Sequence, residues 1–201
     1  MLDIQYIIIT VPIILFAITI HEFAHAKTAD ILGDPTPRYA GRLTLNPIAH
    51  IDPIGFLMLF LVGFGWAKPV PINPLNFSDW RRGSALVGIA GPLSNFFAAW
   101  LIGALVKLAP LNGLSLDQAV LVVSIARQTV WLNVALGVFN LIPIPPLDGH
   151  HIIEAILPER GIDYFETLSQ YGFIILILLL LFPPFQVLLH YVVGFIANLL
   201  L

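Results

Sequence analysis

The stretch IQYIIITVPIILFAITIHEFAHA, residues 4–26, is a long apolar run that ends in two histidines and a glutamate. A helix needs about 20 mostly apolar residues to cross about 30 Å of hydrocarbon. This stretch is therefore long enough to cross a bilayer, with its polar residues at one end. Because it lacks a preceding basic region and a following small-residue cleavage pattern, we expect a retained membrane segment and not a cleaved signal peptide.

Three further regions of the sequence are apolar enough to cross a membrane. They cover residues 84–108, 119–142 and 171–201, and Pro183-Pro184 interrupts the last of them. Because prolines break or kink a helix, residues 171–201 form either one kinked span or two shorter helices. The sequence predicts an all-α integral membrane protein, a polytopic bundle of about four to six transmembrane segments in one membrane-embedded domain over residues 1–201.

The composition of the chain fits this fold class. Of 201 residues, 58% are hydrophobic and 10% are charged, whereas soluble domains carry about 25% charged residues. The net charge is −3 and no basic face is evident, so we expect the lipid bilayer and not nucleic acid as a partner. Cysteine is absent, which excludes disulfides, cysteine-ligated zinc and a cysteine nucleophile. Any metal must be bound by histidine and carboxylate side chains.

A shorter apolar segment, residues 54–66, contains three glycines and is too short for a full helical span. We predict a re-entrant or interfacial element that extends over residues 54–73, with its backbone covered by protein or paired. Strand-like patterns at residues 38–45 and 68–72, punctuated by prolines, predict a small β-hairpin near the membrane surface. If this element turns back, the first and third spans end on the same side of the membrane.

The basic residues predict the orientation in the membrane. Seven of the nine Lys and Arg residues lie in segments 27–83 and 143–170. Short cytoplasmic loops are enriched in these residues. We therefore expect the N-terminus outside and the polar ends of the first and third spans toward the cytoplasm.

The first span ends in a His-Glu-x-x-His pattern formed by His21, Glu22 and His25. Residues four apart on an α-helix differ by about 40° around its axis, so both imidazoles face the same way. Two neutral imidazoles can bind one Zn²⁺, and the glutamate can act as a general base on water at the metal. In a soluble helix the same pattern more often consists of surface or core side chains that bind no metal. At the edge of the hydrocarbon, polar groups are costly unless they serve a site, which favours the metal.

A catalytic zinc usually has three protein ligands, and Asp148 is the candidate for the third. It ends the stretch FNLIPIPPLDG, residues 139–149, in which three prolines prevent a regular helix. An unwound backbone at this depth is consistent with a hydrated cavity. The alternative is an interfacial aspartate that caps a helix starting at His150. Asn140 either hydrogen bonds across helices or donates to a developing oxyanion.

Four other histidines are weaker candidates for metal ligands. His50 lies in a loop and is more simply a solvated or hydrogen-bonded side chain, and His190 is expected at the interface or packed against a helix. His150 and His151 follow the Asp-Gly pair and could approach the site. The small residues of GPLSN, residues 91–95, favour close helix packing first and a contribution to the cavity second.

Three motifs occur in order on separate apolar spans: HEFAH at residues 21–25, GPLSN at 91–95 and NLIPIPPLDG at 140–149. With them the chain resembles a site-2 protease, one of the zinc metalloproteases that cut within membranes. It is most similar to the short prokaryotic members without appended domains, and the resemblance covers nearly all of residues 4–149. A location in the cytoplasmic membrane of a prokaryotic cell is implied.

The resemblance also implies a role for each matching residue. It assigns the binding of one zinc ion to His21, His25 and Asp148. It assigns the activation of water to Glu22 and a part in stabilising the tetrahedral intermediate to Asn140.

Residues 63–73 resemble the re-entrant β element of the family, whose edge is thought to pair with an unwound substrate strand. The aspartate motif departs from the family pattern, because it reads Pro-Leu-Asp-Gly where many members have Asn-Pro-x-Asp-Gly. The expected function is zinc-dependent hydrolysis of peptide bonds in or near transmembrane segments of membrane protein substrates.

Two other functions are alternatives to this one. A membrane metal transporter or metal-sensing protein could use the same polar cluster, although transporters usually contain repeated halves and no repeat is evident here. An inactive relative could bind membrane segments without cutting them, but the intact Glu22 disfavours this.

Overall fold

The computed structural model describes residues 4–62 and 65–201, and most of these are helical. The described residues form α1 (Ile4–Ile31), α2 (Thr36–Tyr39), α3 (Pro53–Val62), α4 (Trp80–Leu108), α5 (Leu116–Asn140), α6 (Gly149–Ile156), α7 (Glu159–Ser169), α8 (Gly172–Leu181) and α9 (Pro183–Leu200). No β-strand occurs in these two ranges. The predicted all-α polytopic class is confirmed.

Within residues 4–62 and 65–201, four helices are long and apolar enough to cross a membrane, and they are α1 from Ile7 onward, α4, α5 and α9. Helices α7 and α8 together would make a fifth span, with a bend of 66° between them. This agrees with the predicted four to six segments. The span predicted to start at residue 84 begins earlier, because Asp79 caps α4 by accepting from the backbone N–H groups of Arg81 and Arg82.

The apolar region 171–201 forms two helices and not one kinked span. Helix α8 ends at Leu181, and α9 begins at Pro183 after Phe182. A proline is well tolerated in the first turn of a helix, where its missing N–H has no helical partner. Since α8 has only 10 residues, it is too short to cross the bilayer alone.

The region between α1 and α4 differs in part from the predicted hairpin. Residues 38–45 form the end of α2 and turns, and only one antiparallel bridge, Ile51 to Ala67, is present in the described part of this region. A β-ladder does not form there, because prolines remove N–H donors and favour turns. Of residues 63–73, Gly63 and Phe64 lie outside the described residues.

The short apolar segment nevertheless turns back. Because Ile51 is paired with Ala67, the chain returns after α3 to the level at which it entered. The return is close: a Cβ on Gly55 would lie 2.1 Å from the Trp66 carbonyl oxygen, and a Cβ on Gly65 would lie 2.3 Å from the Gly55 carbonyl oxygen. Only glycine allows this approach. As expected from such an element, the ends of α1 and α5 lie on the same side.

Helix α4 is the centre of the bundle and packs against α1, α5 and α6. Small and β-branched residues form the contact of α4 with α5 and α9. They are Ala99, Val130, Val134, Val193 and Ala197. Such residues allow helices to approach closely in a bilayer. Large apolar side chains, such as Phe97 and Trp100, remain exposed on the outer faces, as suits contact with lipid.

Asp34, just after α1, fixes the loops that border the site. Its buried carboxylate accepts hydrogen bonds from the Thr36 hydroxyl, the Asn73 backbone N–H and the Asn76 amide. Burial alone would raise the pKa of Asp34, but these hydrogen bonds lower it below its usual value. The segment after α3 is thereby tied to the end of α1.

Candidate metal centre

The three predicted metal ligands lie together. His21 and His25 are one turn apart on α1, and Asp148 immediately precedes α6. The distance from His21 Nε2 to Asp148 Oδ2 is 2.9 Å, from His21 Nε2 to His25 Nε2 3.0 Å, and from His25 Nε2 to Asp148 Oδ2 3.3 Å. Tetrahedral zinc with ligands at about 2.0–2.1 Å separates neighbouring ligand atoms by about 3.3 Å. The donor atoms therefore fit one zinc ion.

The proline-rich segment after α5 brings Asp148 to the histidines. Helix α5 ends at Asn140, and the chain runs through turns until α6 begins at Gly149. A Cβ on Gly149 would lie 2.3 Å from the Leu141 carbonyl oxygen, so this compact turn requires glycine. Asp148 occupies the N-cap position, but its side chain makes no capping hydrogen bond. It points to the histidines, contrary to the capping alternative.

The charge of Asp148 suits a metal ligand. Burial alone would raise the pKa of Asp148, but hydrogen bonds to His21 and His25 lower it well below its usual value. Metal ligands must be deprotonated carboxylates or neutral imidazoles. The carboxylate is thus held in its binding form.

The GPLSN motif supports the centre directly and does more than pack helices. A Cβ on Gly91 would lie 2.3 Å from His25 Nε2 and 2.7 Å from His21 Cε1, so glycine leaves room for both rings. Asn95 is fully buried, and its Oδ1 accepts a hydrogen bond from His21 Nδ1 at 2.6 Å. The sequence favoured packing first; the structure shows the second interpretation as well.

Hydrogen bonds at the Nδ1 atoms orient both imidazoles. His25 Nδ1 donates to the Val87 carbonyl at 2.7 Å, and His21 Nδ1 donates to Asn95, which leaves each Nε2 for a metal. The Asn95 amide in turn donates to Asn133 on α5 at 3.0 Å. Sequence reasoning missed Asn133. The one feature of the sequence that could have indicated Asn133 is a polar amide within an apolar span, where such groups need a hydrogen-bond partner.

We call the three donor atoms His21 Nε2, His25 Nε2 and Asp148 Oδ2 the ligand triangle. Glu22 lies beside the histidines but is not part of this triangle. Its Oε2 accepts a hydrogen bond from the Val70 backbone N–H at 3.2 Å and lies 3.8 Å from the Arg42 guanidinium. It borders a cavity of about 490 Å³ that His21 and Asp148 also line. A carboxylate so placed can accept a proton from water in the cavity.

Arg42 is a residue of the site that sequence reasoning missed. It is 3% exposed and donates to the carbonyl oxygens of Lys68 and Pro69, the latter at 2.8 Å. Its guanidinium also contacts His50 Nδ1 at 3.2 Å, and His50 Nε2 donates to a backbone carbonyl. Because these contacts join residues far apart in the loop, no local pattern could have indicated them.

Asn140 lines the same cavity, as expected if it acts there. Its Nδ2 donates to the Leu136 carbonyl of its own helix at 3.0 Å. A side-chain amide has two N–H donors, so this bond leaves a second donor. Its proposed contact with an oxyanion stays a prediction.

The remaining histidines do not join the ligand triangle. His50 is fully buried and hydrogen bonded, and it is not solvated. The His190 ring lies 6.2 Å from that of Trp131, in agreement with packing against a helix. His150 and His151 stack on each other, with ring centroids 3.8 Å apart, and face Glu154 instead.

Helices that can cross a bilayer, and a His-His-Asp group that could hold a metal ion beside a glutamate, are typical of membrane zinc metalloproteases. Comparison with known proteins agrees, because residues 109–181 match Peptidase family M50. A Bacillus subtilis protein named "Putative zinc metalloprotease YwhC" is 39% identical over 180 residues, which cover 89% of this chain and 81% of that protein. The chain belongs to Peptidase family M50, and zinc is its metal.

Mycobacterial relatives match over a similar share of the chain. The proteins named "Putative zinc metalloprotease Rip2" from Mycolicibacterium smegmatis and Mycobacterium tuberculosis are 31% and 32% identical, over 84% of this chain. The match covers 65% of the length of these two relatives. No solved structure matches the chain.

Proposed function

We propose that this zinc metalloprotease hydrolyses peptide bonds in or near transmembrane segments of other membrane proteins, with His21, His25 and Asp148 as ligands and Glu22 as general base. The observation that supports this most is the position of the ligands. His21 and His25 lie within the apolar helix α1, which is long enough to span the bilayer. A protease of soluble substrates has no need for a metal centre on such a helix.

The cavities beside the centre support an apolar substrate. A second cavity of about 480 Å³ is lined mainly by apolar residues of α1, α3, α5 and α9. It shares Trp66, Ala67 and Phe139 with the cavity at the centre. An apolar segment seated in the second cavity would therefore lie next to the ligand triangle.

The chemistry follows from the groups that line the site. When bound, zinc acts as a Lewis acid and lowers the pKa of water to about 7. Glu22 accepts the proton of the attacking water and later donates it to the leaving amine. The side chain of Asn140 supplies an N–H donor to the oxyanion.

The substrate must be unwound at the bond that is cut, because the carbonyl groups of an intact helix are hydrogen bonded and shielded. Residues 65–70 offer a place for the unwound strand, since Trp66, Ala67 and Pro69 line the cavity at the centre. An extended peptide beside this segment would pair by β-augmentation. Its scissile carbonyl would then lie near Glu22.

We also propose the predicted orientation, with the N-terminus outside a prokaryotic cytoplasmic membrane and the centre toward the cytoplasm. The end of α1 near His25 and the end of α5 that leads to Asp148 adjoin the connecting segments 27–83 and 143–170. These segments hold most of the Lys and Arg residues. Such residues favour the cytoplasmic side.

The proposed function predicts a preference for substrates that unwind easily. We expect a single-span peptide with Gly-Pro at its centre to be cut at least about 10-fold faster than its Leu-Leu counterpart, since each helix breaker costs about 1–3 kcal/mol of helix stability. Cleavage by the zinc-loaded full chain in vesicles is measured by mass spectrometry. Equal rates would contradict the unwinding step. Zinc flux across the same sealed vesicles without any cleavage would support the transporter alternative and reject the protease.

Arg42 is proposed as a positioning residue, because it binds the carbonyl groups of Lys68 and Pro69 and not the ligand triangle. We expect Arg42→Lys to raise the KM for the peptide by about 10-fold or more with a smaller change in kcat, since a lysine cannot reproduce the guanidinium fork. The split is measured by cleavage at several peptide concentrations. The matched control is Arg38→Lys, whose exposed side chain pairs with Asp30. Unchanged KM in Arg42→Lys would contradict the positioning role.

A further inference from the structure

A second cluster of side chains that can bind metals, His150, His151 and Glu154, lies on the first turns of α6, outside the ligand triangle. His151 Nδ1 lies 3.1 Å from Glu154 Oε2, and His150 Nε2 lies 3.9 Å from Glu154 Oε1. One ligand atom from each of the three residues lies within 4.8 Å of the other two. A small movement of the rings would bring these atoms to the spacing of about 3.3 Å that tetrahedral zinc requires.

The ring of His150 is oriented as metal-binding histidines usually are, and the ring of His151 already faces Glu154. His150 Nδ1 donates to the Leu147 carbonyl oxygen at 2.6 Å, which leaves the lone pair of Nε2 for the group. His151 is held against α4, because a Cβ on Gly88 would lie 3.1 Å from its Cβ and 3.3 Å from its Cδ2. Neither ring depends on a metal for its position.

Burial and charge also suit a cation. The side chains of His150, His151 and Glu154 are 16%, 34% and 20% exposed, so the group is partly shielded and still reached from solvent. Glu154 places a negative charge beside both imidazole rings. A partly buried carboxylate with two imidazoles is a common ligand set for divalent transition metals.

We propose that His150, His151 and Glu154 bind a second divalent transition-metal ion, for which Zn²⁺ is the best match. Three protein ligands leave the remaining position to water. Because Asp148 immediately precedes α6, an ion on this helix would brace the turn that presents Asp148 to the first centre. The inference goes beyond the proposed protease function and does not depend on it.

The test is the number of zinc ions that the full chain binds. Purified protein in detergent is dialysed against buffered zinc, and the metal content is measured per chain. We expect two zinc ions in the wild type and one in Glu154→Gln and in His151→Asn. The matched control is His190→Asn, which removes a histidine beside Trp131 and should leave two. The loss of a ligand should weaken the second site at least about 10-fold, since even supporting residues of metal sites contribute 10-fold or more.

Variants of the first centre separate the two sites. His25→Ala should bind one zinc ion, and His25→Ala combined with Glu154→Gln should bind none. Because Glu154→Gln is expected to keep the first zinc, a single retained ion also shows that this variant is folded. Co²⁺ in place of zinc should give a visible absorption spectrum for the α6 site in His25→Ala, and Glu154→Gln should remove it. One zinc ion in the wild type, or two in both Glu154→Gln and His151→Asn, would overturn the proposal.

Discussion

Replacing Glu22 with glutamine is expected to abolish peptide cleavage and to leave the zinc bound. Glutamine has the size of glutamate and can still accept the hydrogen bond of the Val70 N–H, so the local structure should persist. It cannot take a proton from water at neutral pH. Proton transfer by a positioned side chain contributes about 10²–10⁴-fold to a rate, so kcat should fall by at least this factor. Cleavage of the reconstituted peptide is measured together with the zinc content.

A matched control shows that the effect belongs to the position of Glu22. Glu166 lies exposed on α7, and Glu166→Gln removes the same charge from a residue that does not line the cavity at the centre. This variant should cleave at the wild-type rate. If Glu22→Gln also cleaved at the wild-type rate with zinc bound, another group would have to be the base. If it lost its zinc, Glu22 would be needed for the centre and not for proton transfer alone.

The spans were predictable from the sequence because the bilayer imposes a length and a composition on each of them. The centre was predictable in outline because its ligands follow simple local patterns. His21 and His25 have a fixed spacing on a helix, and Asp148 was the single carboxylate near the end of another span. The structure places these three side chains within hydrogen-bond distance of one another, although Asp148 lies far from His21 and His25 along the chain.

The residues that support the centre were not predictable in this way. Asn95 and Arg42 act through contacts with residues that are far away in sequence, such as His21 and Pro69. A single sequence contains no record of such contacts. Gly91 shows the difference well: its small size was read as a sign of helix packing, yet the atoms nearest to its missing side chain belong to the two histidine rings.

The prediction of a β-hairpin was wrong because it gave too little weight to the prolines in this region. Prolines at positions 35 and 37 set up the first turn of α2, and residues 38–45 continue from it in turns. Alternating polar and apolar residues are typical of strands, but the turn chemistry of proline and glycine overrode them. The bridge between Ile51 and Ala67 lies outside both segments, so the described residues form no part of the predicted hairpin.

Replacing Asp148 with alanine should remove zinc from the centre and with it all cleavage. Two imidazoles on one helix remain, but a third protein ligand is normally required in catalytic zinc sites. We expect zinc at this site to bind at least about 100-fold more weakly, since even supporting residues of metal sites contribute 10–100-fold. Asp148→Asn should behave in the same way, because the amide keeps the size and loses the charge that pairs with the imidazoles.

The measurement is the zinc content of purified protein after dialysis, compared with that of Asp163→Ala, which removes an exposed carboxylate from α7. The control should keep the zinc content of the wild type, and Asp148→Ala should have one ion fewer. A full zinc content in Asp148→Ala would mean that this carboxylate is not a ligand, whatever its distance from His21. Because the first and third of the predicted spans would then share no metal, the assignment of the whole centre would fail with it.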